Sequence, residues 1–338
     1  MTVVVDPSTY VFTVNRNDVI RLAMTDCGCL GVGEEIAAED LDYCADKLNM
    51  LVKQWQGTSD FAPGLKMWAR KRADLFLETT KSSYLLGPSG DHWVTSGSWA
   101  SAVTTAASAA AAVTLTVSAA TVTDVVNGNT IGILLASGVA HWTTVSGTPT
   151  GTTITIAAAL PSAAASGTKI FYYQTAAQRP LQILAAMVRD SNNHDTPLAA
   201  MTLNQYELVR AKADSNTTGT PAAYYYEAQL GNGRLYLNLF PANLATYPYL
   251  HVVYLSPIQD LVLSTDTPDY PQNWYRALAA QLAMDIAPGF QIPASKELIA
   301  LRNDSVQIAR NHDPDVTRLY FQPYADDYDG EYPDTRNF

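Results

Sequence analysis

Charge is scarce in this sequence, and what there is leans one way. Only 16% of the 338 residues are Asp, Glu, Lys or Arg, and 21 basic against 32 acidic residues leave a balance of −11. A protein that grips nucleic acid by its phosphates needs Lys and Arg in excess, so that class is disfavoured; an acidic wall beside DNA would instead repel it weakly and let it slide. Cysteine is nearly absent. Cys27, Cys29 and Cys44 are too few and too crowded for a disulfide framework, and the expectation is reduced, buried thiols in a reducing compartment. A Cys-x-Cys pair can bind metal, but only Cys44 lies near it, so no metal site is expected. The five histidines, His92, His141, His194, His251 and His312, are dispersed, without a His-x-x-x-His spacing. Gly-x-Ser-x-Gly, Walker-type and Gly-x-Gly-x-x-Gly patterns are missing too, and the run Gly28 to Gly33 follows a helix pattern rather than a strand. Adjacent acids such as Glu34-Glu35 and Asp326-Asp327 read as solvated charge rather than an acid–base pair. No catalytic residue, cofactor or metal is therefore expected, and the chain is read as a non-enzyme. No apolar run reaches the ~18 residues of a membrane span, and no signal peptide is expected at the start.

What is present is a chain long enough for two or three domains of about 100–150 residues each, with 47% apolar residues. Its organising stretch is Pro271 to His312. Trp274, Leu278, Leu282 and Ile286 recur every four residues, so one helix has an apolar stripe that needs a partner surface. Pro288-Gly289 ends it, Pro293 suits the start of a second helix, and Leu298, Leu301, Ser305 and Ile308 share that helix's face. The matching surface lies at the other end. Asn15 and Asp18 fit a helix cap, with Val19, Leu22 and Ala23 inward and Gly28 as the stop. Leu41, Ala45, Leu48, Val52 and Trp55 mark one face of a second helix, with Gly57 as its C-cap. Both ends are expected to build one core.

The fold class that follows is α+β and multidomain: a helical platform built from both termini, two β-rich insertions and an extended C-terminal tail. The expected division is 1–64 N-terminal helices, 65–90 β-hairpin linker, 91–175 all-β insert, 176–262 β-rich unit with a hairpin, 263–312 C-terminal helices and 313–338 tail. In the linker, Leu65 to Leu77 and Tyr84-Leu85-Leu86 would pair across a Thr79-Thr80-Lys81-Ser82 turn. From His92 to Thr168 the only charged residue is Asp124, and alternation in 113–117 and 152–156 argues for strands, as does the apolar run 131–135. The Ala-rich 105–112 is expected in a strand-rich context. The clearest hairpin joins Tyr224–Gln229 to Arg234–Leu239 through Gly231-Asn232-Gly233, with Tyr249–Leu255 as its third strand. Ile183–Val188 reads as a buried strand, and Thr202 as a helix cap.

Two stretches invite partners. Arg70-Lys71-Arg72, beside Trp68, is the one concentration of positive charge; it suits DNA contact, or salt bridging to acidic neighbours, the plainer reading in an acidic protein. After His312 the sequence loses periodicity, and Leu319, Tyr320, Phe321, Tyr324 and Tyr328 are interspersed with acids. Aromatics so dense are costly to leave in water, so the tail is expected to order against a partner.

At the two ends the residues resemble the head-to-tail adaptor, or packaged-DNA stabilisation, proteins of short-tailed bacteriophages. The likeness runs through Asn17-Asp18-Val19-Ile20-Arg21-Leu22-Ala23, Ala38-Glu39-Asp40-Leu41 to Trp55, and Trp274 to Pro288 into the last helix. Pro221 to Tyr226 with its hairpin is similar to the β unit of the larger, tail-tubular type. About half the chain is covered, and the uncharged insert departs from the smallest members. The resemblance implies a structural virion protein at the neck between capsid and tail, assembled in host cytoplasm. It implies a ring, usually of twelve copies, whose partners are the portal protein, the tail tube or nozzle protein and copies of itself, with packaged DNA passing without specific binding. A separate alternative is a surface module whose Trp93, Trp99 and Trp142 bind host glycans.

Overall fold

The computed structural model describes residues 12–57, 69–79, 81–209, 214 and 216–312. It contains both helices and strands, an α+β protein. The helix Arg16–Asp26 begins where the chemistry demanded: the Asn15 carboxamide accepts from the Asp18 N–H at 2.9 Å, and the Asp18 carboxylate accepts from the Asn15 N–H at 3.1 Å. Ala38–Trp55 follows with no side-chain cap, its first turn carrying Glu39 and Asp40 at the positive dipole end. At the other end come a 3-10 turn, Gln272–Trp274, and the helices Tyr275–Ile286 and Lys296–His312. The Ser295 hydroxyl accepts from the Leu298 N–H at 3.1 Å, capping the last helix.

One apolar cluster joins these four helices: Ile20, Ala23, Leu48, Trp55, Trp274, Leu282 and their neighbours are buried together. Trp55 meets Trp274 edge to face at 5.7 Å between centroids, across some 220 residues of sequence. Leu48 and Leu282 are each 0% exposed, and each such leucine stabilises by ~1.5–3 kcal/mol over its exposed state. Polar ties accompany the packing. The Arg276 guanidinium donates to the Asp26 carboxylate at 2.8 Å, and Asn49 both accepts from the Leu261 N–H and donates to the Leu261 carbonyl. Two face assignments need correction. Leu22 and Ile308 point outward, 37% and 55% exposed, because the buried stripes run through Ile20 and Met24 in one helix and Ser305, Val306 and Ala309 in the other.

Between the ends lies a pair of packed sheets. The first, of five strands, has the order Asp195–Pro197, Gln182–Arg189, Tyr249–Leu255, Arg70–Phe76, Trp93–Thr95. The second has the order Ala199–Ala200, Ala223–Glu227, Gly233–Leu237, Ser83–Leu86. Leu75, Trp93, Val188, Leu250 and Val252 of one face Tyr84, Leu86, Tyr224, Leu235 and Leu237 of the other in a shared core. The hairpin linker of 65–90 therefore does not form as expected. Arg70–Phe76 pairs with Tyr249–Leu255 and Trp93–Thr95, whereas Ser83–Leu86 pairs with Gly233–Leu237 in the opposite sheet. The turn around Lys81, which the Glu78 and Asp91 carboxylates hold at 2.8 Å each, carries the chain from one sheet to the other. By the same exchange, the third strand of the 223–237 hairpin is Ser83–Leu86 rather than Tyr249–Leu255. Gln182–Arg189 is a strand, but one with exposed residues on its second face rather than a fully buried one.

The uncharged region forms its own sheet, Trp99–Val103, Lys169–Tyr173, Thr130–Leu134, Ala140–Thr144, beside the pair Thr114–Thr116 and Thr153–Thr155. Leu115, Ile131, Ile133, Ile154, Ile156 and Ile170 fill its interior. Its boundary shifts inward from residue 91, because Trp93–Thr95 belongs to the five-stranded sheet. Segment 105–112 is irregular, with a single bridge from Ser108 to Ala164 and a left-handed Ala111 at φ 64°. Gly132 is required opposite Trp142: a Cβ there would lie 2.6 Å from the indole ring that crosses it.

The cysteines depart from expectation. Cys27 and Cys29 are joined by a disulfide, and only Cys44 is a free thiol. The helix ends at Asp26 and Gly28 takes φ 81°, folding the chain so that the two Cα atoms stand 5.7 Å apart, within the span of a bridge.

Candidate functional site

The positive run separates by strand alternation. Arg70, Lys71 and Arg72 are all exposed at the start of the Arg70–Phe76 strand. Lys71 points to one side and pairs with Asp269 at 3.6 Å, which accords with salt bridging for that residue. Arg70 and Arg72 occupy the other face, the one shared with Asp74 and Phe76. The sequence placed three charges together, and the structure keeps two on one surface. The predicted partner residues Leu319, Tyr320, Phe321, Tyr324 and Tyr328 lie outside the described residues, as does Trp68.

Further along that face is a buried polar constellation that sequence reasoning missed. Asp74 and His251 sit directly opposite one another in neighbouring strands, 3% and 6% exposed. The Asp74 carboxylate accepts from the Ser96 hydroxyl at 2.8 Å and the Trp99 indole N–H at 2.7 Å, and lies 2.7 Å from His251 Nδ1. Ser, His and Asp together suggest a nucleophile relay, but the geometry is a different one. Ser96 Oγ lies 3.4 Å from Nδ1, the ring nitrogen that Asp74 already occupies, and its proton is directed to the carboxylate. A relay needs base and orienter on opposite nitrogens. The group instead satisfies a buried carboxylate from three sides, which is what burial of such a charge requires. No local spacing announces it, since Asp74 and His251 are 177 residues apart.

Around that group the insert meets the sandwich through rings. Phe76 contacts Trp99, Trp142, Phe171 and Tyr249 at centroid distances of 4.9 to 5.8 Å. His92 stacks on Trp142 at 3.7 Å and its Nδ1 lies 3.0 Å from the Tyr173 hydroxyl. Burial pushes His92 down to about 4, against the opposing pull of Asp91. Of the three tryptophans considered for sugar stacking, Trp93 is fully buried, the half-buried Trp142 is stacked by His92, and the half-buried Trp99 is engaged by Asp74 and three rings.

The helical body exposes several large apolar side chains: Met50 at 67%, Val262 at 70%, Leu263 at 63% and Ile308 at 55%. Burial, with Asp40 adding to it, pushes the Cys44 thiol up to about 11, so it stays protonated and unreactive near neutral pH. Among the described residues no cluster of three His, Cys, Asp or Glu side chains is arranged to hold a metal ion, and no helix is long and apolar enough to cross a membrane. No protein-family model matches the chain, and no curated protein matches it significantly.

Proposed function

We propose that this chain is a structural head-to-tail adaptor of a short-tailed bacteriophage virion. In this reading it is a multidomain α+β protein, with a helical platform carrying the paired sheets and the insert, that forms a ring under the portal. The ring helps retain packaged DNA and offers an attachment platform for the tail tube or nozzle. The observation that carries the reading is the single core built by both ends, with Leu48 and Leu282 in one cluster. Such a platform leaves its intervening β units free to project, and its exposed apolar residues suit packing between copies. The acidic balance suits a channel through which DNA moves without being held. In the tail, Leu319, Tyr320, Phe321, Tyr324 and Tyr328 serve as portal contacts, and the ring sits at the neck of the virion after assembly in the host cytoplasm.

Negative-stain imaging of the protein alone and mixed with its portal tests this. Rings on portals are expected for the full chain, and their loss on deletion of 313–338 with the fold intact. Portals that stay bare, or rings that form without the tail, would refute the reading and the tail's role respectively.

A further inference from the structure

Where the edge strand of the insert passes the five-stranded sheet, a crevice of about 370 Å³ separates the two. Register builds one wall. Alternation puts Trp99, Ser101 and Val103 on one face of the edge strand, with Phe171 opposite Ser101 and Lys169 opposite Val103. Across the gap stand Tyr249 and the loop 190–193 that leaves the strand Gln182–Arg189. The ring wall is fixed in place. Trp99 donates its indole N–H to Asp74 at 2.7 Å and meets Phe171 and Tyr249 edge to face, at 5.9 and 5.2 Å between centroids, so the uncovered part of the indole is held at the crevice. The loop is held as well: the Asp190 carboxylate accepts from the Asn192 and His194 N–H groups at 2.8 Å each, and the Ser191 N–H donates to the Thr246 carbonyl at 2.9 Å. Polar groups of different kinds ring the mouth. The half-buried Lys169 can only donate, and its ammonium makes no ion pair or hydrogen bond among the described residues. Asp190 can only accept, and the Ser101 and Ser191 hydroxyls can do both.

We infer that this crevice binds a neutral saccharide, one pyranose ring lying with its C–H face toward Trp99 and its hydroxyls on the rim. Charge selects the class. An anionic ligand meets Asp190 and a cationic one meets Lys169, whereas a neutral polyol is opposed by neither. Hydrogen bonding narrows it further. Each sugar hydroxyl donates and accepts, so one ring serves the lysine, the carboxylate and both serines, while an apolar ligand would strip water from them and return nothing. The rings supply apolar area to a ligand whose edge stays wet. A cleft of this size between two packed units, aromatic on its walls with a few polar groups at the mouth, is the usual build of a small-ligand site.

Saturation-transfer difference NMR on the full chain, without portal, tests the site separately from the adaptor reading. The neutral probes are methyl β-glucopyranoside, methyl β-galactopyranoside and diacetylchitobiose; methyl β-glucuronide and glucosamine are the charged ones. Transfer is expected to the ring protons of at least one neutral probe, stronger than to either charged sugar. It should fall about fivefold or more in Ser101→Tyr, which fills the crevice from an exposed position. Lys169→Met keeps the stem but loses the donor and should weaken binding about threefold, which keeps the test decisive if S101Y fails to fold. No transfer to any neutral probe, stronger transfer to a charged one, or transfer indifferent to the variants would each overturn the inference.

Discussion

The helical body and the junction between insert and sandwich are both dense with aromatic rings, yet they are assembled in opposite ways. In the helical body, Trp55, Tyr270 and Trp274 come from the two ends of the chain, and the buried groups around them are almost wholly apolar. At the junction, Phe76, Trp99, Trp142 and Phe171 pack together, while Trp99 donates to a buried carboxylate and Trp142 stacks on a half-buried imidazole. Apolar packing is non-directional and tolerates conservative exchange, whereas a buried polar group fixes orientation and fails when one partner is removed. The helical body is thus specified by pattern and the junction by particular atoms.

Substitutions sharpen that contrast. Asp74→Ala leaves the buried His251 and the half-buried Ser96 and Trp99 without their acceptor and is expected to cost about 3–5 kcal/mol, the scale for breaking a buried polar pair. Near-ultraviolet circular dichroism through a urea titration would report it from the junction's rings. Leu282→Ala should cost about 2–5 kcal/mol, with Leu282→Met below ~1.5, both read from helical ellipticity in the same titration. A junction equally tolerant of Asp74→Leu would erase the distinction. Gly132→Ala pushes a Cβ into the Trp142 ring and should cost about 1–3 kcal/mol while leaving the helical signal unchanged.

Acid offers a gentler probe. His92 titrates near 6.5 when unfolded and near 4 when folded, so the folded state excludes a proton that the unfolded chain accepts. Its contribution is fully present above about pH 6.5 and declines as the pH falls toward 4. His92→Phe keeps a ring over Trp142 and should flatten the stability profile in that window; an unchanged slope would assign the acid sensitivity elsewhere. The smallest effect belongs to Arg72→Glu, an exposed site expected to shift stability by less than ~0.5 kcal/mol.

The same contrast explains what could be read from residues alone. Both helix pairs were legible because period and caps are local: Asn15 with Asp18, and the four-residue recurrence from Trp274 to Ile286. The 223–237 hairpin was legible through its Gly-Asn-Gly turn. Strand partnership was not. Arg70–Phe76 looks like half of a hairpin, and nothing within 20 residues says that its neighbour is Tyr249–Leu255. For the same reason the Asp74–His251 pair escaped notice, the salt bridging expected of Lys71 had no named partner until Asp269 was seen beside it, and a positive triplet that reads as one patch divides between two faces. The cysteine bridge was not legible because it depends on the left-handed Gly28, a backbone choice that residue spacing does not announce.

The shared core of the two chain ends is the claim on which the rest stands, and the Trp55–Trp274 contact is its most direct reporter. In protein carrying protonated tryptophan on a deuterated background, nuclear Overhauser spectra should show cross-peaks between these two indole rings. Cross-peaks confined to residues near each tryptophan in sequence would mean that the ends fold apart, and would contradict the account.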